Sequence, residues 1–328
     1  MKHQEINMRE ALRQAIQEEM VRDKNVFVMG EEVGEYNGAY KITKGLLDQF
    51  GKQRIVDTPI SELGFAGIGI GAAMTGLRPI IEFMSFNFSF VGCDQIISNA
   101  AKMHYMSGGR FHVPIVFRGP NGSAAQVSCQ HSHCVEAFYS LFPGLIVISP
   151  YTVYDAKGLL KSAIRNNNPV IFLENELSYG VKQSIPKEEY FVEIGKANVL
   201  KKGKDLTLVS NSRMLNWCEE VAAELFREKQ IDIEIIDLRT IKPLDITTIA
   251  ESVKKTHFCC IVEEGHYFTG LSAEIAFQIQ EHVFDYLDAP IKRVCQKETP
   301  MPYSKVLEHA TLPNKLRIKA AILEMLRK

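Results

Sequence analysis

A single carboxylate lies within the apolar stretch TPISELGFAGIGIGAA, residues 58–73. Glu62 follows a turn at Pro59 and stands at the predicted start of a helix. A carboxylate removed from water either finds a strong partner or takes up a proton, and both outcomes suit proton transfer. Glu62 is therefore a candidate acid or base, with a helix-capping glutamate as the simpler alternative.

Aromatic rings follow in the segment FMSFNFSF, residues 83–90. Phe86, Phe88 and Phe90 alternate with the period of a strand, which predicts that their rings point to one face. A buried acid followed by such a ledge of rings suggests a flat ligand that contains nitrogen. Ordinary core packing is the alternative, because most aromatic side chains serve packing.

The segment SCQHSHC, residues 128–134, is the densest polar cluster in the sequence. A zinc site is one hypothesis, although the spacing differs from that of common zinc motifs, and a Cys-His nucleophile pair is another. A glycine-rich loop that presents His131 as a proton donor or anion ligand fits the pattern better. For His133, Cys129 and Cys134 we expect a surface position or simple packing.

Composition excludes several classes of protein. The 38 Lys and Arg residues balance 39 Asp and Glu residues without a long basic cluster, so a nucleic-acid partner is not expected. The apolar runs are shorter than the roughly 20 residues that span a bilayer, so no membrane segment is expected. The acidic N-terminal segment lacks signal-peptide features, and the odd number of cysteines, 7, indicates free thiols. Both features predict a cytoplasmic protein.

Strands and helices alternate along most of the chain. Asn7 and Glu10 form a capping box before a first amphipathic helix, and short apolar runs separated by helical periods follow. This alternation predicts α/β domains with a parallel sheet covered on both faces. The periodicity fades between Glu174 and Lys204, so we expect a first domain over residues 1–185, a linker over 186–204 and a second, smaller α/β domain over 205–328.

The helix that begins near Glu62 has a face that lacks side chains, formed by Gly64, Gly67 and Gly71. Each glycine costs about 1 kcal/mol against alanine in a helix interior, so the pattern predicts close packing of a helix from a partner subunit. Residues 67–72, GIGIGA, also match a dinucleotide-binding fingerprint, but they lie inside the predicted helix and not in a turn after a strand. A nicotinamide-binding protein is the corresponding hypothesis, and it requires NADH binding by the isolated chain.

Several long motifs together resemble one enzyme family. They are MSGG at 106–109, PIVFRGPNG at 114–122, QHSHC, LENELSYG, PMPY and the whole stretch from Asp57 to Phe90. In these motifs the chain resembles the beta subunits of thiamine-diphosphate-dependent pyruvate dehydrogenase, the decarboxylating component of the 2-oxo acid dehydrogenase complexes. The resemblance covers nearly the whole chain and implies a pyrimidine-binding parallel-sheet domain followed by a transketolase-like C-terminal domain.

The resemblance also implies partners and cofactors. Such a subunit works with an alpha subunit in an alpha2beta2 heterotetramer, decarboxylates pyruvate on thiamine diphosphate, and passes the acetyl unit to a lipoyl group of the dihydrolipoyl acyltransferase component. The alpha subunit of the family binds magnesium and the diphosphate through a GDG motif. No GDG occurs in this sequence, so activity is expected only with an alpha subunit.

Individual residues match the family's functional positions. Glu62 matches the glutamate that hydrogen-bonds the ring nitrogen N1′ of the aminopyrimidine, a role that suits a desolvated carboxyl with a raised pKa. Phe88 matches the aromatic residue that packs on the pyrimidine, and Ile60 and Met84 are expected to complete its apolar walls. His131 matches a histidine of the substrate channel that assists the acyl or lipoyl step.

Some family members bind potassium in the beta chain. The corresponding oxygens belong to Ile115, Ala163, Ile164, Asn166 and Asn168. Asn166 stands where an aspartate is common, a change that matters only if the side chain is the ligand. His133 stands where glutamine is common, which affects the expected contacts with substrate or lipoyl group.

Three alternatives stay open at the level of sequence. Within the family, the chain also fits a beta subunit of a branched-chain 2-oxo acid or acetoin dehydrogenase. In a different class, it fits a non-catalytic assembly subunit that docks the acyltransferase without touching the cofactor.

Overall fold

The computed structural model describes residues 3–327 and divides into two compact units. The first unit comprises the chain up to Asn121 together with Phe138–Ile194, and the second comprises Gly122–Ala137 together with the chain from Gly195 onward. The segment 122–137 therefore groups with the second unit, although the residues before and after it in the sequence belong to the first unit. The predicted domain boundaries at 185 and 205 stay predictions.

The first unit is built on a parallel sheet in the order β6-β7-β5-β4-β2-β3. A separate antiparallel pair joins β1 to β8. The strands are β1 His3–Asn7, β2 Val26–Gly30, β3 Ile55–Asp57, β4 Arg78–Glu82, β5 Val116–Pro120, β6 Ile146–Ile148, β7 Val170–Glu174 and β8 Lys182–Pro186. The helices are α1 Met8–Arg22, α2 Leu46–Phe50, α3 Glu62–Met74, a π-helical segment Gln95–Ala100 that continues into α4 Ala101–Met106, α5 Glu136–Ser140 and α6 Val153–Arg165.

Local sequence explains these elements. Strands β2, β5 and β7 are buried along their whole length, which requires the continuous apolar runs seen in the sequence. The predicted Asn7 cap is confirmed, because the Asn7 side chain accepts a hydrogen bond from the Glu10 amide at 2.9 Å, and Thr152 caps α6 by accepting from the Asp155 amide at 2.9 Å. All strands of the sheet are parallel, so their carboxyl ends meet at one edge.

The second unit contains a five-stranded sheet in the order β14-β13-β10-β11-β9. Its strand pairs are parallel except for β9, which runs antiparallel to β11. Its strands are β9 Asn198–Lys201, β10 Leu206–Ser210, β11 Ile233–Asp237, β13 Cys259–His266 and β14 Lys292–Gln296, and the short strand β12 Thr240–Lys242 lies outside this sheet. The helices are α7 Met214–Lys229, α8 Ile246–Thr256, α9 Leu271–Val283, α10 Lys305–Thr311 and α11 Lys315–Leu326. Strands β8 and β9 lie in the stretch where the periodicity fades, and β9 lies within the predicted linker.

The predicted strand through Phe86, Phe88 and Phe90 is wrong. Residues Phe86–Phe90 form a 3₁₀-helix, in which side chains two positions apart diverge. Phe86 is fully buried, whereas Phe90 is 37% exposed, so the three rings do not share a face. The serine between Phe88 and Phe90 explains the turn, because the Ser89 hydroxyl donates to the Phe86 carbonyl at 2.6 Å and stabilises helical geometry over the strand.

No helix among residues 3–327 combines the length and the apolar character that a membrane crossing requires.

Helix α3 has one glycine that fits the sheet and one that faces open space. A Cβ on Gly69 would stand 2.6 Å from Cδ1 of Ile81, a buried residue of β4. A Cβ on Gly71 would meet no atom of this chain within 4 Å. Gly69 therefore allows α3 to approach the sheet, whereas Gly71 is not required by packing inside this chain.

We expect Gly69→Ala and Gly71→Ala to differ in their effect on folding. Both replacements gain the same helix propensity, about 1 kcal/mol, but only Gly69→Ala forces Ile81 to move. The free energy of unfolding should be lower for Gly69→Ala than for Gly71→Ala by roughly 1–3 kcal/mol. Urea unfolding of the two variants, followed by far-ultraviolet circular dichroism, measures this difference, and equal midpoints would contradict it.

Candidate active site

Glu62 is the first residue of α3 and is buried, with 7% of its surface exposed. Glu31, which follows directly after β2, is equally buried and lies close enough for the charge of Glu62 to act on it. Burial raises the pKa of Glu31, and the neighbouring carboxyl of Glu62 raises it further. Burial and a like charge both favour the protonated form of Glu31.

Glu31 is a candidate functional residue that the sequence analysis missed. Its Oε1 atom is buried and has no hydrogen-bond partner within residues 3–327. A buried oxygen of this kind costs free energy unless a partner reaches it, so the pair has capacity for a ligand with hydrogen-bonding nitrogens. The available signal was a double glutamate at the end of a fully apolar strand.

The sheet brings Glu31 and Glu62 together. Strands β2 and β3 pair in parallel with Gly30 opposite Asp57, and the Thr58 amide continues the ladder to the Gly30 carbonyl at 3.0 Å. Any side chain on Gly30 would overlap the carbonyl oxygen of Glu82 in β4, so only glycine allows this close approach. The loops after β2 and β3 therefore start side by side, one with Glu31 and the other leading to Glu62.

The three residues predicted to form apolar walls, Ile60, Met84 and Phe88, differ in their burial. Met84 and Phe88 are half-buried. The segment that carries Phe88 packs closely against the start of α3 at Gly92, where a Cβ would stand 3.0 Å from the Glu62 carbonyl oxygen. Ile60 is 83% exposed within this chain. The structure thus brings the Phe88 segment to Glu62, whereas Ile60 projects from the surface of the chain.

A buried ion network, also missed by the sequence analysis, lies at the same edge of the sheet. Arg118 of β5 is 1% exposed and hydrogen-bonds the carboxylates of Glu82, at the end of β4, and Glu174, at the end of β7. The Tyr179 hydroxyl donates to Glu174 at 2.7 Å. Burial raises the pKa of Glu82 despite the neighbouring Arg118. In the sequence, the signal for this network was a charged residue at or near the end of each of the apolar strands β4, β5 and β7.

This network fixes the backbone that leads to Met84. The Phe83 amide donates to the Arg118 carbonyl at 2.9 Å, and a Cβ on Gly119 would stand 2.6 Å from the Phe83 carbonyl oxygen. Since Arg118 is locked by two carboxylates, β4 and β5 cannot slide past each other without breaking buried charge-assisted hydrogen bonds. The network therefore positions the start of the aromatic segment.

His131 lies in the second unit, at the end of a short 3₁₀-helix formed by Cys129–His131, and is exposed. The backbone before it is unusual, because Gln126 and Ser128 adopt positive φ angles of 57° and 66°. The pKa of His133 is lowered by partial burial and by the nearby His266 and His131. The structure thus places three imidazoles in one electrostatic neighbourhood.

Cys134 of the SCQHSHC segment is not an activated thiol. Burial raises the pKa of the Cys134 thiol well above its ordinary range, and the charges of Glu264, Glu136 and Glu263 add to this effect. A thiol held protonated is a poor nucleophile and a poor metal ligand. No group of three His, Cys, Asp or Glu side chains within the described part of the chain is arranged to hold a metal ion, so the zinc hypothesis gains no support.

The turn in the segment EEGHYFTGLSAE, residues 263–274, is held by a buried carboxylate. Glu263 accepts hydrogen bonds from the Leu271 and Ser272 amides, each at 2.8 Å, at the N-terminus of α9. A carboxylate at this position satisfies the unpaired amides of the first turn and complements the helix dipole.

The five predicted potassium ligands lie around the end of α6 and the start of β5. One guanidinium nitrogen of Arg78 donates to the carbonyls of Ile164 at 3.1 Å and Asn166 at 3.0 Å, so a cationic side chain already occupies the point that these two oxygens face. The Asn166 side-chain oxygen accepts from the Asn168 amide at 2.8 Å. The Ala163 and Ile115 carbonyls accept backbone hydrogen bonds. A carbonyl has a second lone pair, and a helix C-terminus favours cations, so the main-chain oxygens fit a potassium ion better than the Asn166 side chain does.

Comparisons with known proteins cover nearly the whole chain. Residues 4–182 match the transketolase pyrimidine binding domain, and residues 195–318 match the transketolase C-terminal domain. A solved structure named split gene transketolase, inactive beta4 tetramer, has a TM-score of 0.80 over 98% of both chains at 20% identity, which shows the fold. The predicted fold class, two α/β domains of the transketolase type, is confirmed.

Curated relatives are much more similar in sequence. The pyruvate dehydrogenase E1 component subunit beta of Rhizobium meliloti is 56% identical over 97% of this chain and 69% of its own length. The protein of the same name from Rickettsia bellii is 53% identical over 97% of this chain and 98% of its own. The mitochondrial E1 component subunit beta of Bos taurus is 52% identical over 94% of this chain and 87% of its own.

We expect Glu31→Gln to flatten the pH dependence of stability. The pKa of Glu31 is raised in the folded chain above its ordinary value of 4.5, so the folded state binds a proton more tightly than the unfolded state. This contribution is complete below that value and is lost as the pH rises through the raised pKa. Urea unfolding between about pH 4 and pH 8 should show a shallower decline for Glu31→Gln than for the parent.

Glu35→Gln is the matched control, because Glu35 lies in the same loop, is exposed and pairs only with the exposed Lys52 at 2.7 Å. Its slope should equal that of the parent. Parallel slopes for the parent and Glu31→Gln would show that the pKa of Glu31 is not raised in the folded chain.

Proposed function

Because the chain belongs to the family of pyruvate dehydrogenase E1 component beta subunits, we propose that it is the beta subunit of an enzyme that decarboxylates pyruvate with thiamine diphosphate. The family itself is a component of a thiamine-dependent 2-oxo acid oxidoreductase. The names of the curated relatives favour pyruvate over the branched-chain and acetoin alternatives. The single observation that carries the proposal is the pair of neighbouring buried carboxyl groups, Glu31 and Glu62.

The residues present fit an aminopyrimidine. Glu62 would hydrogen-bond ring nitrogen N1′, and the neighbouring Glu31, whose pKa is raised, would hold a proton beside it. Phe88 and Met84 would cover the ring and exclude water, and Ile60 would complete the wall. When bound, thiamine diphosphate supplies the nucleophilic carbon and the electron sink that decarboxylation of a 2-oxo acid needs.

The remaining parts of the proposal concern partners. An alpha subunit, in an alpha2beta2 heterotetramer, would hold magnesium and the diphosphate, and the lipoyl group of a dihydrolipoyl acyltransferase would accept the acetyl unit. His131 would assist that acyl transfer as a proton donor or as a ligand to developing negative charge. The exposure of His131 in the second unit agrees with contact to a substrate that arrives from another protein. A cytoplasmic location also stays a prediction.

We expect Glu62→Gln to abolish most of the decarboxylase activity of the assembled enzyme. The amide cannot exchange a proton with a ring nitrogen as the carboxyl does, and loss of general acid-base catalysis typically costs about 10²- to 10⁴-fold. The measurement is carbon dioxide release from pyruvate by the heterotetramer purified with its alpha subunit. Glu35→Gln, in the exposed part of the loop after β2, should retain the parental rate.

Two results would contradict the proposal in different ways. An assembled Glu62→Gln enzyme that decarboxylates at the parental rate would leave the chain as a non-catalytic assembly subunit. A parent enzyme that prefers branched-chain 2-oxo acids to pyruvate would overturn the substrate but not the role of Glu62.

We further propose that potassium binds oxygens of Ile115, Ala163, Ile164, Asn166 and Asn168 near the end of α6, through lone pairs that Arg78 does not use. Binding to the folded state alone should raise the melting temperature when potassium replaces sodium at equal ionic strength. At 100 times its dissociation constant, an ion adds about 2.7 kcal/mol to the free energy of unfolding. Equal melting temperatures in potassium, sodium and tetramethylammonium chloride would exclude the site.

A further inference from the structure

The segment Gly122–Ala137, here named the His131 loop, is held at its start by a buried carboxylate. Glu264 of β13 is 8% exposed and accepts a hydrogen bond from the Ser123 amide at 2.7 Å and another from the Ser123 hydroxyl. Gly122 has a φ of +81°, and a Cβ there would stand 3.0 Å from the Glu264 carboxylate. The Gly122 amide donates to the His133 carbonyl at 2.9 Å, so this anchor reaches the far side of the loop.

A second buried carboxylate holds the middle of the His131 loop. Glu308 of α10 is 2% exposed, and it accepts from the Gln126 side-chain amide at 2.8 Å and from the Gln126 backbone amide at 3.4 Å. Gln126 adopts a φ of 57°, which is a costly conformation for a residue with a side chain. The paired hydrogen bonds to one carboxylate stabilise that conformation five residues before His131.

Both carboxylates accept hydrogen bonds from the His131 loop. Within residues 3–327, neither Glu264 nor Glu308 forms an ion pair with Lys, Arg or His. Their hydrogen bonds go to the loop, and hydrogen bonds to an ionised acceptor are roughly twice as strong as neutral ones. Two buried acids from separate elements of the second unit, β13 and α10, thus select one conformation of a strained segment.

We propose that Glu264 and Glu308 are positioning residues that hold the His131 loop in the conformation that presents His131 to the acyl acceptor. The inference rests on the proposed role of His131 in acyl transfer. Neither carboxylate touches the reacting atoms, so their effect is exerted through the placement of His131. The acyl-transfer step is therefore sensitive to both, and the decarboxylation step, which depends on Glu62, is not.

An exchange of the two side chains tests the Glu308 anchor. In Glu308→Gln, the new amide group faces the donor groups of Gln126 and one hydrogen bond is lost. When Gln126→Glu is added, the amide of residue 308 can donate to the carboxylate of residue 126, and its oxygen can accept from the backbone amide of residue 126. The single variant should lose the anchor, and the double exchange should restore it.

The enzyme purified with its alpha subunit is assayed for its two half-reactions. Glu308→Gln should slow reductive acetylation of a free lipoyl domain by about 10- to 100-fold in kcat, the range expected when a catalytic group is displaced. Decarboxylation of pyruvate with an artificial electron acceptor should stay within about twofold, and the double exchange should recover most of the lost acyl transfer. Glu274→Gln, an exposed glutamate of α9, is the matched control and should match the parent in both assays.

A cycle with His131→Ala separates positioning from a general structural role. In the His131→Ala background, Glu308→Gln should cause no further loss, because the group that it positions is absent. If Glu308→Gln fails to fold, Gln126→Ala replaces it in the cycle, because it removes the same side-chain hydrogen bond at the half-buried Gln126. It should slow acyl transfer alone and add no loss to His131→Ala. Glu264→Gln should repeat it at the other anchor.

Three outcomes overturn the inference. Equal slowing of both half-reactions, failure of the double exchange to restore acyl transfer, or additive losses with His131→Ala would each show that the anchors do not act through His131. If His131→Ala itself leaves acyl transfer unchanged, the proposed role of His131 fails and the inference falls with it. If His131→Ala is slow and the anchor variants are not, only the inference fails.

Discussion

The burial of two neighbouring carboxyl groups is the constraint on which the first unit depends. Glu31 and Glu62 are both nearly inaccessible, and burial together with the nearby carboxyl of Glu62 raises the pKa of Glu31. Such a pair is stable only if its backbone is held rigidly, since small separations would admit water. The parallel pairing of β2 with β3 and the glycine at position 30 provide that rigidity.

The same edge of the sheet holds a second charged cluster that serves the first. Arg118 bridges Glu82 and Glu174 in the interior, where breaking one partner would leave an uncompensated charge. This cost ties the ends of β4, β5 and β7 into one register. The aromatic segment begins at this end of β4 and packs against the start of α3 at Gly92. The position of the half-buried Phe88 therefore depends on both polar clusters.

The sequence predicted the elements well where the signals are local. The Asn7 cap and the position of Glu62 at the start of α3 follow from residues a few positions apart. The prediction that Phe86, Phe88 and Phe90 share one face was wrong, because alternation alone cannot distinguish a strand from a 3₁₀-helix that a serine stabilises. Glu31, Arg118 and Glu308 were missed because their partners lie far away in sequence, and no local pattern reports such pairing. The roles of Glu62 and His131 came from family motifs, and the geometry adds the partner carboxyl and the loop anchors.

Helix α9 offers a final consequence for the division of labour between chains. In many α/β proteins the first turn of a helix after a glycine turn captures a phosphate group. Here the carboxylate of Glu263 already accepts hydrogen bonds from two amides of that turn, so a phosphate would have to displace a buried side chain. The first turn of α9 therefore serves the fold of this chain and not anion binding.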